Sequence, residues 1–98
     1  MTWNAASQRK IAFYLGFPIN SETYSRIATA QARVLAVDAD AVAVCEGFIA
    51  ELEQLETEIE GSRDNDPADI FEPLKVEARR WVLRLSTALD LEVNRNVF

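Results

Sequence analysis

The side chains able to do chemistry are few, and the residue that most often does it is missing. The chain of 98 residues contains no histidine. General acid–base catalysis loses its commonest agent, and the Ser and Thr hydroxyls and the single cysteine, Cys45, lose the imidazole that would activate them. Carboxylates are the abundant reactive type. Asp64, Asp66 and Asp69 lie close enough in sequence to hold Ca²⁺, but an EF-hand loop beginning at Asp64 needs a Gly sixth and a Glu twelfth, where Asp69 and Lys75 stand. Glu51, Glu58 and Glu60 could meet across helices as in a di-metal carboxylate bundle, yet that site draws on Glu-x-x-His pairs. These acids read as helix caps and a solvated face. Gly16, Gly47 and Gly61 stand apart from one another, which excludes a Gly-rich phosphate loop. The expectation is no catalytic residue, no metal and no cofactor, so not an enzyme.

The remaining candidates are residues for holding a partner. Arg79, Arg80 and Arg84 form a basic ridge on the last helix and are expected to meet the acidic third helix, within the subunit or across an interface. Trp81 reads as core, with an interface anchor as the second reading. Cys45 sits among apolar residues and reads as a small buried hydrophobe. Leu91, Val93 and Val97 fall at odd positions in a strand-like alternation. No second strand candidate exists to pair with them, so residues 91–98 read as an extended tail with apolar teeth, no partner inside the chain and a docking role outside it.

The elements that must position these residues are helices. The first is expected to start at Asn4 as N-cap and to stop at Gly16, where Phe17 folds back and Pro18 forbids continuation. Asn20 or Ser21 caps the second, whose apolar positions are Tyr24, Ile27, Ala28, Gln31 or Ala32, Val34 and Leu35. Residues Val37 to Ala41 allow either a cap at Asp38 for a third helix or one helix running straight through, and the break is favoured because a single helix of about forty residues is improbable in so small a domain. The third carries Val42, Cys45, Phe48 or Ile49, Leu52, Leu55 and Ile59 in steps of three and four, and Gly61 is expected to close it. Asp66 and Pro67 read as a helix start, and Pro73 as a second one. The last helix carries Leu74, Ala78, Trp81, Val82, Leu85, Ala88 and Leu89 and ends near Asp90. The fold class is all-α, a small bundle of about four helices over residues 1–90 with an extended C-terminal tail at 91–98.

Charge is segregated along the chain. Residues 1–37 carry a net +3, residues 38–72 a net −11 and residues 73–98 a net +2, for −6 in all. The balance argues against general nucleic-acid binding, which needs a basic surface, and suits basic faces packed against acidic ones within or between subunits. One cysteine excludes an internal disulfide. Residues 1–10 lack the apolar run of a signal peptide, and no stretch reaches the ~20 apolar residues of a membrane span, so a cytoplasmic chain without membrane contact is expected.

Two stretches resemble a known family. Arg9-Lys-Ile-Ala-Phe-Tyr-Leu-Gly-Phe-Pro18 is similar to the opening of the small head–tail connector (adaptor) proteins of tailed bacteriophages, where a first helix ends in a Tyr-Leu-Gly-aromatic-Pro turn. Residues Glu77 to Phe98, an Arg-Arg-bearing helix followed by a Val-x-Arg-x-Val-Phe tail, resemble their closing part. Together they cover about a third of the chain. This sequence has Asp90 where that family would lead one to expect a Gly at the end of the last helix. The resemblance implies a homo-oligomeric ring, of about twelve copies, beneath the portal protein in the virion neck. The subunit would be made in the cytoplasm of the bacterial host, and DNA would pass through the lumen without specific binding. It also implies that Leu91, Val93, Arg95, Val97 and Phe98 dock on a neighbouring portal, tail or neck protein. The competing reading is a small acidic helical regulator, antitoxin-like, that binds and blocks a basic partner.

Overall fold

A computed structural model describes residues 3–62 and 72–98. Four helices follow one another: α1 over Ser7–Leu15, α2 over Ser21–Val37, α3 over Ala39–Ser62 and α4 over Glu72–Leu89. The chain is an all-α bundle, with no strand among the described residues. The Asp66–Pro67 helix start and the Asp64, Asp66 and Asp69 cluster lie outside them.

Each boundary has a local cause. Asn20 caps α2, its side-chain oxygen accepting from the Thr23 N–H at 2.8 Å. Asp38 adopts extended backbone between α2 and α3, and its Oδ1 accepts from the Asp40 N–H at 3.0 Å. The expected break at Asp38 is therefore where the chain turns. Two helix ends share one design. At Gly16 the Phe17 N–H reaches the Ala12 carbonyl and the Gly16 N–H the Phe13 carbonyl. At Asp90 the Leu91 N–H reaches the Ser86 carbonyl and the Asp90 N–H the Thr87 carbonyl. Both are Schellman motifs with a left-handed residue, φ 77° at Gly16 and 55° at Asp90. Asp90 thus occupies the geometry for which glycine was the expected residue.

Two sequence expectations need correction here. Asn4 is not the cap of α1; its Oδ1 accepts from the Ala6 N–H in the turn before the helix. The first turn of α1 is served from α3 instead, where Glu46 accepts from the Ser7 hydroxyl at 2.6 Å and from the Asn4 N–H at 2.7 Å. A carboxylate beside a helix N-terminus is favoured by the dipole. Gly61 does not close α3, which runs through it to Ser62.

The core is one cluster built from the three-four stripes, with Ile11 and Leu15 of α1, Ile27 of α2, Ile49 and Leu52 of α3, and Leu85 and Leu89 of α4 wholly buried. Each such side chain contributes about 1.5–3 kcal/mol of transfer free energy. On α2 the buried stripe is Ile27, Ala30 and Gln31, flanked by half-buried Tyr24, Val34 and Leu35, while Ala28 and Ala32 are exposed. On α3 it is Ile49 rather than Phe48 that is fully covered, and Phe48 tilts against Trp81 of α4 with ring centroids 5.6 Å apart.

Candidate interaction surface at the tail dock

The tail is not unpartnered within the chain, as its alternation and the lack of a second strand had implied. It leaves α4 at Asp90, runs back along α2 and seats on the end of α1. Glu92 meets Arg26 of α2, with Oε1 2.7 Å from Nη2. The Asn94 and Arg95 N–H groups both donate to the Leu15 carbonyl, at 2.8 and 3.2 Å. The Asn94 side-chain amide donates to the Gly16 carbonyl at 2.8 Å. These three bonds satisfy carbonyls that the end of α1 leaves open. Helix ends, rather than a strand edge, supply the partners, which is why a search for a second strand missed them.

Apolar contacts complete the dock. Leu91, Val93 and Phe98 pack against the core. Phe98 stacks nearly parallel on Tyr14, centroids 6.1 Å apart and planes 13° from each other. The alternation read from the sequence appears in the burial: Leu91, Val93 and Val97 are half-buried, whereas Glu92, Asn94, Arg95 and Asn96 are exposed. Ser86 holds the start of the tail through a short hydroxyl bond to the Leu91 carbonyl.

The arginine ridge on α4 does not meet the acids of α3 within the subunit. Arg79 Nη2 donates to the Phe98 carbonyl oxygen at 2.8 Å and so holds the tail from the other side; its buried Nε has no hydrogen-bond partner among the described residues. Arg84 lies over the Trp81 ring, 4.5 Å from the centroid. Arg80 is exposed and enters no ion pair with α3 among the described residues. Three acids of α3 face α1 instead. Ser7, Lys10 and Tyr14, one face of α1, meet Glu46, Glu53 and Glu56 in turn, at 2.6, 3.1 and 3.2 Å. The spacing of three and four on α1 against seven and three on α3 brings the two helices side by side in the same direction.

Electrostatics follow from these contacts. Burial first, then the nearby Glu56 and Glu53, push the Tyr14 phenol far above its usual range. Burial and then Glu46 push the Cys45 thiol up. Cys45 is 1% exposed, so it is a packed thiol and not a reactive thiolate. The hydrogen bond from Arg26, then one from the backbone, hold the exposed Glu92 carboxyl below the usual range. With a folded value below the unfolded one, this contact is present above the ordinary carboxylate range and weakens as pH falls through the folded value.

Beside the seated tail a groove of about 420 Å³ opens between α1 and the α1–α2 turn, walled by Phe13, Phe17, Ile19 and Val97 with Arg9 and Arg95 among its polar groups. Sequence reading passed over Phe13 and Ile19. Their signal is that Phe13 lies off the buried Ile11, Ala12, Tyr14, Leu15 face and that Ile19 follows Pro18 in a turn, so both are apolar where burial is not required. A second open apolar surface lies between α3 and α4, at Val44, Phe48, Leu83 and Ala88. Among the described residues no three His, Cys, Asp or Glu side chains converge as metal ligands do, and no helix is long and apolar enough to cross a membrane. No protein-family model, curated protein or solved structure matches this chain.

Proposed function

We propose that this chain is a structural subunit of a phage head–tail connector ring, an adaptor seated between the portal and the tail proteins in the virion neck, with DNA passing through its lumen. The observation that carries the reading is that the two stretches resembling that family, residues 9–18 and 77–98, form one unit in space. Asn94 and Arg95 of the second stretch bond Leu15 and Gly16 of the first. A turn and a tail that could have been separate coincidences of sequence are two halves of one joint.

In this reading the work of the domain is assembly rather than catalysis. Leu91, Val93 and Phe98 hold the tail to its own bundle, and exposed Arg95 with Arg80 and Arg84 of α4 offers cations to neighbouring subunits or rings. The acidic balance of −6 keeps passing DNA from adhering by like-charge repulsion. Quantitative mass spectrometry on purified particles, counting this chain against the portal protein, tests the reading. Near-equal copy numbers are expected, and absence from mature particles would remove it.

One observation favours the regulator reading. Glu51 and Glu58 of α3, seven residues apart on one side of the helix, are both exposed and offer carboxylates to a basic partner. A stable one-to-one complex with such a protein, in place of a ring, is the outcome that would select it.

A further inference from the structure

We infer that the groove between α1 and the tail receives the α2–α3 corner of a second copy of this chain, so that subunits join head to tail. The inference deepens the ring reading and rests on it.

The groove asks for a particular occupant. Its walls are apolar, and two of them, Phe13 and Ile19, are exposed to 53% and 76%. Two carboxylates line it as well, Glu53 bound to Lys10 and Glu56 accepting from the Tyr14 hydroxyl, while its two exposed guanidinium groups, Arg9 and Arg95, take no part in the ion pairs of the described residues. Apolar walls with two guanidinium groups outside those ion pairs are complementary to an apolar knob flanked by acids.

The chain carries such a knob. Val37, the last residue of α2, is the most exposed large hydrophobic side chain among the described residues, at 83%. Exposed Asp38 and Asp40 follow it, and exposed Ala36 and Ala39 on either side leave it room to enter a groove. Of these two carboxylates, only Asp38 Oδ1 has a hydrogen bond among the described residues, from the Asp40 N–H.

Knob and groove cannot meet in one subunit. Phe17 and Ile19 precede the first turn of α2 and Val37 ends it, so the helix holds them about 25 Å apart. Contact between two different surfaces of identical chains is heterologous, and it closes into a ring when the rotation between copies permits. The same spacing that prevents self-satisfaction sets one copy's corner against the next copy's groove.

The test is covalent trapping of the full chain carrying Val37→Cys and Ile19→Cys together. Both replace exposed side chains, so the core is untouched, and buried Cys45 stays out of the reaction; far-UV circular dichroism checks the fold. Mild oxidation at high concentration is expected to give a ladder of multimers on a non-reducing gel, with each single variant staying monomeric. Adding Arg9→Glu and Arg95→Glu is expected to cut the ladder about ten-fold, the equivalent of 1.4 kcal/mol. No ladder from the folded double variant, or an equal yield of dimer from either single variant, overturns the inference. Copy counting in particles stands apart from this. A ladder without particle copies keeps the contact and removes the connector reading, and near-equal copies without a ladder do the reverse.

Discussion

Gly16 and Arg95 meet backbone to backbone: a Cβ on residue 16 would overlap the Arg95 carbonyl oxygen and stand 2.8 Å from the Arg95 carbonyl carbon and Cβ. The Arg95 N–H meanwhile donates to the Leu15 carbonyl. One glycine therefore serves two purposes, the left-handed turn that ends α1 and the floor on which the tail lies.

Gly16→Ala is expected to lose both. The left-handed backbone alone costs about 1–2 kcal/mol for a residue with a Cβ, and displacement of the tail adds to it, for a total of about 2–4 kcal/mol in urea unfolding. A loss within the range of the turn alone would show that the tail does not rest on residue 16.

Asp90 repeats the turn of Gly16 without the glycine. Asp90→Gly removes the left-handed strain at φ 55° and a negative charge at the C-terminal end of α4, where the dipole disfavours it. The expected result is a gain of about 0.5–1 kcal/mol, read as a higher urea midpoint with an unchanged slope. A lower midpoint would mean that the unfolded chain's extra freedom outweighs both.

Tyr14 links the tail to α3, stacking on Phe98 and donating from its hydroxyl to Glu56. Its folded pKa is raised, so its contribution is full below the ordinary phenol value of about 10 and is lost as pH rises through the folded value. Tyr14→Phe is expected to cost about 0.5–1.5 kcal/mol at neutral pH. It should also flatten the fall in stability on the alkaline side. An unaltered alkaline limb in pH-dependent unfolding would place that fall on other groups.

Removal of residues 91–98 is expected to leave a helical domain. The wholly buried side chains Ile11, Leu15, Ile27, Ile49, Leu52, Leu85 and Leu89 all belong to the four helices. The domain should nevertheless be less stable by about 2–4 kcal/mol, because Leu91, Val93 and Phe98 lose their packing and the Leu15 and Gly16 carbonyls their donors. Far-UV circular dichroism with urea titration separates the cases. A chain without helix would show the tail to be part of the fold itself, and one of undiminished stability would show that it lies on the bundle without binding it.

Much of the fold was legible because helix signals act within a turn or two. Asn20, Asp38, Gly16 and the stripes of α3 and α4 each work on neighbours three or four residues away, and the sequence holds both partners in view. Asn4 and Gly61 misled for the same reason. Each has the right local chemistry for a helix end, but α1 begins where Glu46, 39 residues from Ser7, can serve its first turn. The candidate site was legible as residue types and not as contacts. The alternation of Leu91, Val93 and Val97 showed which side of the tail would be covered, and nothing in it showed by what.

The sequence by itself determined an all-α chain, the order and ends of most of its helices, its buried stripes and its division into basic, acidic and basic thirds. Those properties follow from short-range periodicity, from caps and from charges that can be counted. Only the tertiary structure decided that the tail folds back onto α1, that Glu46, Glu53 and Glu56 of α3 meet α1 rather than the arginines of α4, and that Phe13 and Ile19 border one groove while Val37 stands at the far end of α2. Each of these joins residues separated by tens of positions, and which of many compatible charges and carbonyls are paired depends on how four apolar stripes pack together, a relation that no stripe contains alone.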